Sequence, residues 1–273
     1  MIKILLNIIF FATIINASII KDKVKNIIGK TEYNHHKNLI NMLFDDNSKF
    51  IVNNKIRYNH LLKELQKNGL LKLKFDKPTE IVLKFTIKNN NKSIRAFKII
   101  NDTMQAMGYR YFFTKTMNVD SKNTLTWEVR FKAEYMTDPV VFIEELYKNN
   151  CKVINIENIK SNNWLYELDF SQASLNSALK VEKYEKLKFT KPLRAILLKV
   201  NNAKRLSATS RHLNRWFPHI VFFNKDLTIL GIVKKDKVHR NLTTLVPHNT
   251  KYIKITDMYN LINIKRGLTI IVR

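Results

Sequence analysis

Between Glu80 and Phe170 the spacing of hydrophobic positions switches between a period of two and a period near 3.6. EIVLKFTIK alternates, which predicts a strand. SIRAFKIINDTMQAMGY repeats Ile94, Phe97, Ile99, Ile100, Met104 and Met107 at helical spacing, with Ser93 as cap and Gly108 as stop. YRYFFTKTMNV and TLTWEVRFKAEY read as two strands around a polar turn, Asp120 to Asn123. DPVVFIEELYKNN reads as a helix capped by Asp138 with Pro139 at its first position, and KVINIENI and NWLYELDF add one or two strands. The order β-α-β-β-α-β is that of a ferredoxin-like fold, expected over residues 79–170.

The flanking regions follow other rules. Residues 18–78 are expected to be helical, around Tyr33 to Phe44 and around Tyr58 to Asn68, where Leu61, Leu62 and Leu65 recur at helical spacing before Asn68-Gly69 and Pro78. A small and polar linker, residues 171–185, precedes a stretch of short strands with no long helical pattern: LRAILLKV, HIVFFNKD, TILGIVKK, NLTTLVP, KYIKITD and LTIIVR. Residues 186–273 are therefore expected to form an all-β sandwich, so the fold class is α+β multidomain.

The first residues, MIKILLNIIFFATIINA, place Lys3 ahead of an apolar run and end in Ile15-Asn16-Ala17. This is the pattern of a secretory signal peptide over residues 1–17, cut after Ala17, with an apolar run of about twelve residues against the roughly twenty that span a membrane. The expected location is a bacterial periplasm. The single cysteine, Cys151, leaves no internal disulfide and no cysteine-pair metal site, and reads as inert packing.

Charge changes the picture most. The chain carries 48 Lys+Arg against 22 Asp+Glu, a formal net charge of +26. Residues 80–170 hold 13 against 11, whereas residues 171–273 hold 21 against 5. An excess confined to one module favours anionic partners. The densest groups, and the candidate partner-binding residues, are Lys204 and Arg205; Arg211, Arg215 and Trp216; and Lys234, Lys235, Lys237 and Arg240. Arginine forks two hydrogen bonds onto a phosphate or carboxylate, and Trp216 offers a stacking platform if exposed or core packing if not. The competing readings are a solubilising surface and an electrostatic contact within the protein.

In the same module HIVFFNKDLTILGI, followed by LVPHNTKYIKIT, resembles the strand pair of jelly-roll modules of the galactose-binding and phage-fibre type, over roughly Leu193 to Arg273. The resemblance implies a binding module and transfers no sugar-contacting residue.

Chemistry-bearing motifs are sparse. The five glycines, at 29, 69, 108, 231 and 267, form no phosphate-cradling loop, and there is no His-Glu-x-x-His or Gly-x-Ser-x-Gly. Ser177-Ala178-Leu179-Lys180 matches Ser-x-x-Lys without its companion Lys-Thr-Gly, and His35-His36 lacks further ligands. No catalytic residue, metal or cofactor is expected. The whole leads to the expectation of a non-enzymatic periplasmic binding or scaffold protein, its basic module docking on an anionic envelope component or acidic protein, in an accessory role to an envelope assembly for secretion, a pilus or a flagellum. Nucleic acid is disfavoured and peripheral membrane contact is left open. The alternatives are a carbohydrate-binding protein dependent on Trp216 and, third, an envelope hydrolase.

Overall fold

The computed structural model describes residues 19–88 and 93–273. The expected signal peptide over residues 1–17 and the side chain of the expected cap Ser93 lie outside that description. The chain is a mixed α and β structure with several open sheets. It divides into two compact units: Ala96–Ala173 joins the residues before Lys92, and Ser174–Arg273 forms the second unit with Ser93–Arg95.

In the first unit, helix α1 (19–28) buries Ile20, Val24, Ile27 and Ile28 at helical spacing. Gly29, at φ 86°, turns the chain into α2 (Lys30–His35), and His36 separates it from α3 (Lys37–Leu43). The sequence pattern from Tyr33 to Phe44 thus resolves into two short helices, and α1 falls in the region expected to be helical without being one of its two named helices. Strands β1 (Ile51–Val52) and β2 (Lys55–Ile56) form a hairpin around Asn53 and Asn54, both at positive φ, as a tight primed turn requires. Helix α4 (Tyr58–Lys67) buries Tyr58, Leu61, Leu62 and Leu65 and stops at Gly69, φ 69°.

The main sheet of this unit comprises β3 (Lys74–Ile87), β4 (Phe113–Val119), β5 (Leu125–Tyr135), β6 (Lys152–Lys160) and β7 (Asn163–Asp169), with helices α5 (Ser93–Ala106) and α6 (Pro139–Lys148) between strands. The order is β4-β5-β3-β7-β6. All neighbours are antiparallel except β3 and β7, which run parallel. The strand after α6 therefore takes the sheet edge, and its hairpin partner β7 fills the lane beside β3. Helix α6 begins as its sequence dictates: Asp138 Oδ1 accepts the N–H of Val140 at 2.8 Å and of Val141 at 3.3 Å, and Pro139 follows the cap. Such a cap stabilises by about 1 kcal/mol. Phe85 stands at the core centre, its ring 5.7 Å from Phe142, 5.8 Å from Trp127 and 5.9 Å from Tyr166. The N-terminal helices join this unit through Asn155 of β6, whose Oδ1 accepts from Tyr58 Oη and from Lys23 Nζ, each at 2.8 Å.

The second unit has two sheets. One has the order β13-β12-β15-β10-β8: β13 (Ile229–Lys234), β12 (Pro218–Phe223), β15 (Tyr252–Asp257), β10 (Ile196–Lys199) and β8 (Leu179–Lys180). The other has the order β14-β11-β16-β9: β14 (Asn241–Leu245), β11 (Arg205–Ser210), β16 (Leu268–Val272) and β9 (Lys186–Phe189). Their inner faces share one core, built by Ile196, Leu198, Ile220, Phe222, Ile253 and Ile255 of the first sheet and Leu206, Ala208, Leu268, Ile270 and Val272 of the second. Strands β9 and β11 carried no expectation. RLSATS buries only Leu206, Ala208 and Ser210, so its inward row is too small and polar to register as an apolar alternation.

Candidate anion-binding surface

The registers fix which loops share an end. Ser210 pairs with Leu268, Leu268 with Phe189, Pro218 with Asp257 and His219 with Lys234. The connections 190–195, 211–217, 235–240 and 258–267 therefore emerge together, and each crosses from one sheet to the other. We call this the crossover end.

Charge is polarised along that axis. The four crossover connections carry Lys191, Arg194, Arg211, Arg215, Lys235, Lys237, Arg240, Lys265 and Arg266 against one acid, Asp236. All nine cations are exposed, and among the described residues none has a carboxylate within ion-pairing distance. The opposite connections, 181–185, 200–204, 224–228 and 246–251, carry Lys183, Lys204, Lys225 and Lys251 against Glu182, Glu185 and Asp226. The connections of one end are thus close to balanced in charge, and those of the other are strongly cationic. Charges spaced within a Debye length, about 8 Å at physiological salt, add their fields over such a surface.

The loops that bear these cations are held by buried polar anchors. Asp257, 6% exposed at the end of β15, accepts four hydrogen bonds: from Phe217 N at 2.8 Å, and from Tyr259 N, Asn260 N and Asn263 Nδ2 at 2.9 Å each. Asn214 bridges two connections, donating from Nδ2 to Ser210 Oγ at 3.0 Å and to the Gly267 carbonyl at 2.8 Å, and accepting the Arg266 N–H at 3.0 Å. Backbone bonds complete the set: Ser210 N to Arg240 O at 2.7 Å, Arg215 N to Asn263 O at 3.0 Å and Arg211 N to Gly267 O at 3.2 Å. The basic side chains thus stand on a fixed frame, which lowers the ordering cost of binding.

Three of the four connections line an open groove of about 1080 Å³. Its walls are Thr190 to Leu193, Arg211 and His212, and Asn260 to Ile262 with Lys265 and Arg266. Four cations and a histidine share the lining with apolar Leu193, Leu261 and Ile262, and no carboxylate is among them. This groove suits a ligand that combines anionic groups with an apolar part.

The residues singled out from sequence divide. Arg211, Arg215, Lys235, Lys237 and Arg240 come together at the crossover end, and Lys234 closes β13 beside them, opposite His219. Lys204 and Arg205 lie at the far end of β11, where Lys204 N and Arg205 N donate to the carbonyl of Arg273 at 2.6 and 2.9 Å. Trp216 is corrected: it is fully buried, its Nε1 donates to Thr256 O at 3.0 Å, and its carbonyl accepts the His239 N–H at 2.8 Å. An indole with every face packed and its only donor paired is core, so no ligand stacks on it. The sequence missed Lys191, Arg194, Lys265 and Arg266. The adjacent pair Lys265-Arg266 resembles Lys204-Arg205 in the sequence, but only the strand order brings 258–267 beside 211–217.

One of the sparse motifs also finds its place. Ser177 and Ala178 lie in a turn and Leu179–Lys180 is strand β8, so Ser-x-x-Lys does not share a helical turn. Among the described residues no group of three or more His, Cys, Asp or Glu side chains is arranged to hold a metal ion. The sequence matches no family model and no curated protein.

Proposed function

We propose that this chain is a binding or scaffold protein of the cell envelope whose basic C-terminal β-sandwich docks on an anionic component through its crossover end. The observation that carries this reading is the polarity of the second unit: nine exposed cations against Asp236 at one end, four against three acids at the other. A surface serving solubility alone has no reason to concentrate its charge there. The nearly balanced composition of residues 80–170 argues the same way, since one genome's lysine bias acts on the whole chain. Guanidinium groups at five of the nine positions favour bidentate recognition of phosphate or carboxylate.

For the second unit, a jelly roll is the fold this reading implies. Its support is the interleaving of β9-β16-β11-β14 with β10-β15-β12-β13, joined by connections that cross between the sheets. For the first unit, the two crossovers, β3 to β4 and β5 to β6, support a ferredoxin-like sheet enlarged by the inserted strand β7. A periplasmic location rests on the N-terminal sequence alone.

The test uses the full chain and heparin as a soluble anionic probe. Calorimetric titration at low and high salt should show binding that weakens with ionic strength and is abolished by joint reversal of Arg211, Arg215, Lys235 and Arg240 to Glu, with the circular dichroism spectrum unchanged. Binding that survives the reversal would reject the crossover end as the docking surface.

A further inference from the structure

The cations are only half of what the crossover end presents. Each of its four connections also carries a large apolar side chain held out in solvent: Leu193 at 95% exposure, Leu213 at 66%, Val238 at 50%, and Tyr259 and Ile262 at 64% each. Among the opposite connections only 181–185 carries one, Tyr184 at 65%. Single exposed apolar residues are ordinary, but one on every loop of one end, each beside cations, is a pattern.

We infer that the crossover end docks on a bilayer containing anionic lipid, with these loop-tip side chains entering the headgroup region while the surrounding Lys and Arg pair with lipid phosphates. The inference rests on the anionic-partner reading above and names its occupant. Two observations favour a bilayer over a soluble polyanion or an acidic protein. A soluble polyanion gives exposed leucine and isoleucine nothing to bury against, and leaves them in water. A folded acidic protein buries one contiguous apolar patch, whereas here the apolar positions are spread over four separate loops with charge between them. A headgroup layer accepts both features, since apolar burial and attraction to anionic lipid add in interfacial binding. The frame built by Asp257 and Asn214 holds the bases of two of these loops, 211–217 and 258–267, so docking does not have to order them first.

Leu213 stands at φ 66° and Lys191 at φ 47°, in the left-handed region that disfavours residues with a Cβ. For Leu213 the fold accepts both that conformation and exposure of the side chain, neither of which serves its own core.

The experiment measures partition of the full chain onto vesicles of phosphatidylcholine alone and of equal parts phosphatidylcholine and phosphatidylglycerol, with heparin binding in parallel. Binding is expected only where phosphatidylglycerol is present. The triple substitution Leu193→Ser, Leu213→Ser and Ile262→Ser should weaken vesicle binding about tenfold or more while leaving heparin affinity unchanged. Neutralising Arg211→Gln and Lys265→Gln should weaken vesicle binding by roughly thirtyfold, at about a factor of five per cation, and weaken heparin binding too. Because every variant carries the same N-terminal sequence, differences between them report the C-terminal unit. A second measurement is local. Cys151 is buried, so Leu193→Cys takes an environment-sensitive fluorophore selectively, and its emission should shift to the blue on anionic vesicles. Vesicle binding indifferent to the triple substitution, or a fluorophore that stays in water, would overturn the lipid inference and leave the anionic reading standing. Absence of binding to both vesicles and heparin would overturn both.

Discussion

The carboxylate of Asp257 accepts the backbone N–H of Phe217 at 2.8 Å, across a sequence separation of 40 residues, and its other oxygen gathers three donors from the segment that follows β15. One buried acid thereby positions two of the four basic loops. Replacing it by Asn keeps the shape but turns one acceptor into a donor facing amide N–H groups. Asp257→Asn should lower stability by about 2 to 3 kcal/mol. Amide hydrogen exchange should accelerate selectively at Phe217, Tyr259 and Asn260, with the strands of the first unit unchanged.

Gly267 occupies the one position of this end where no side chain fits. Its φ is 105°, and an added Cβ would lie 1.9 Å from the carbonyl oxygen of Phe189, a backbone atom that cannot swing aside. Gly267→Ala should cost more than about 3 kcal/mol and prevent normal pairing of β9 with β16. Gly231→Ala is the control: its Cβ would meet the side chain of Pro247 at 3.2 Å with no positive φ, so thermal unfolding should show a much smaller loss.

The tryptophans give a whole-molecule check. Trp127, Trp164 and Trp216 are all buried, and the chain has no others. Native fluorescence should be blue-shifted and resistant to acrylamide, and should move to the red on denaturation. Trp216→Ala should destabilise by about 3 to 5 kcal/mol, the range for a large core truncation. Trp216→Phe, which keeps most of the volume and loses the bond to Thr256 O, should fold and leave heparin affinity unchanged.

These cases show what the sequence discloses and what it conceals. Period and punctuation locate most elements: Asp138-Pro139 opens α6 and Gly69 closes α4 as read. Strands β11 and β9 escape because the inward row of one is mostly small or hydroxyl-bearing, Ala208 and Ser210 beside Leu206, and the other sets half-buried Leu187 and Phe189 among lysines. The insertion of β7 beside β3 is invisible because a hairpin reads alike whichever of its strands takes the inner lane. Basic runs such as Lys234-Lys235 are plain in the sequence, but their convergence with Lys191 and Arg266 follows from strand order alone. The sequence leaves Trp216 open between platform and core, because basic Arg211 and Arg215 beside it favour the surface; its burial is a property of the β11 to β12 crossover, not of local composition.

Acid sensitivity near neutral pH has a legible source in the first unit. Partial burial, then the positive charges of Arg57 and Lys63, lower the pKa of His60 below its usual 6.5, and Arg57 donates to His60 Nε2. The folded state therefore takes up this proton less readily than the unfolded chain. Stability is full above 6.5 and falls as the pH drops through that value toward the depressed folded pKa. His60→Gln removes the proton site, so its melting temperature should depend less on pH across this window than that of the parent, as followed by circular dichroism.

The last prediction separates the two ends of the basic unit, which the sequence presents as equals. Lys204 and Arg205 lie beside Arg273 at the far end of β11, while Arg211 and Lys265 both line the crossover groove. At the far end Lys199 is held below the usual lysine range by burial and by the charges of Lys251 and Lys180. If charge acted as a general surface property, neutralising either pair to Gln would reduce salt-dependent heparin retention by the same amount. If the crossover end is the docking surface, Arg211→Gln with Lys265→Gln should lower both the eluting salt concentration and the slope of log affinity against log salt, by about two released counterions, while Lys204→Gln with Arg205→Gln changes neither. Equal losses from the two pairs would return the whole charge excess to solubility.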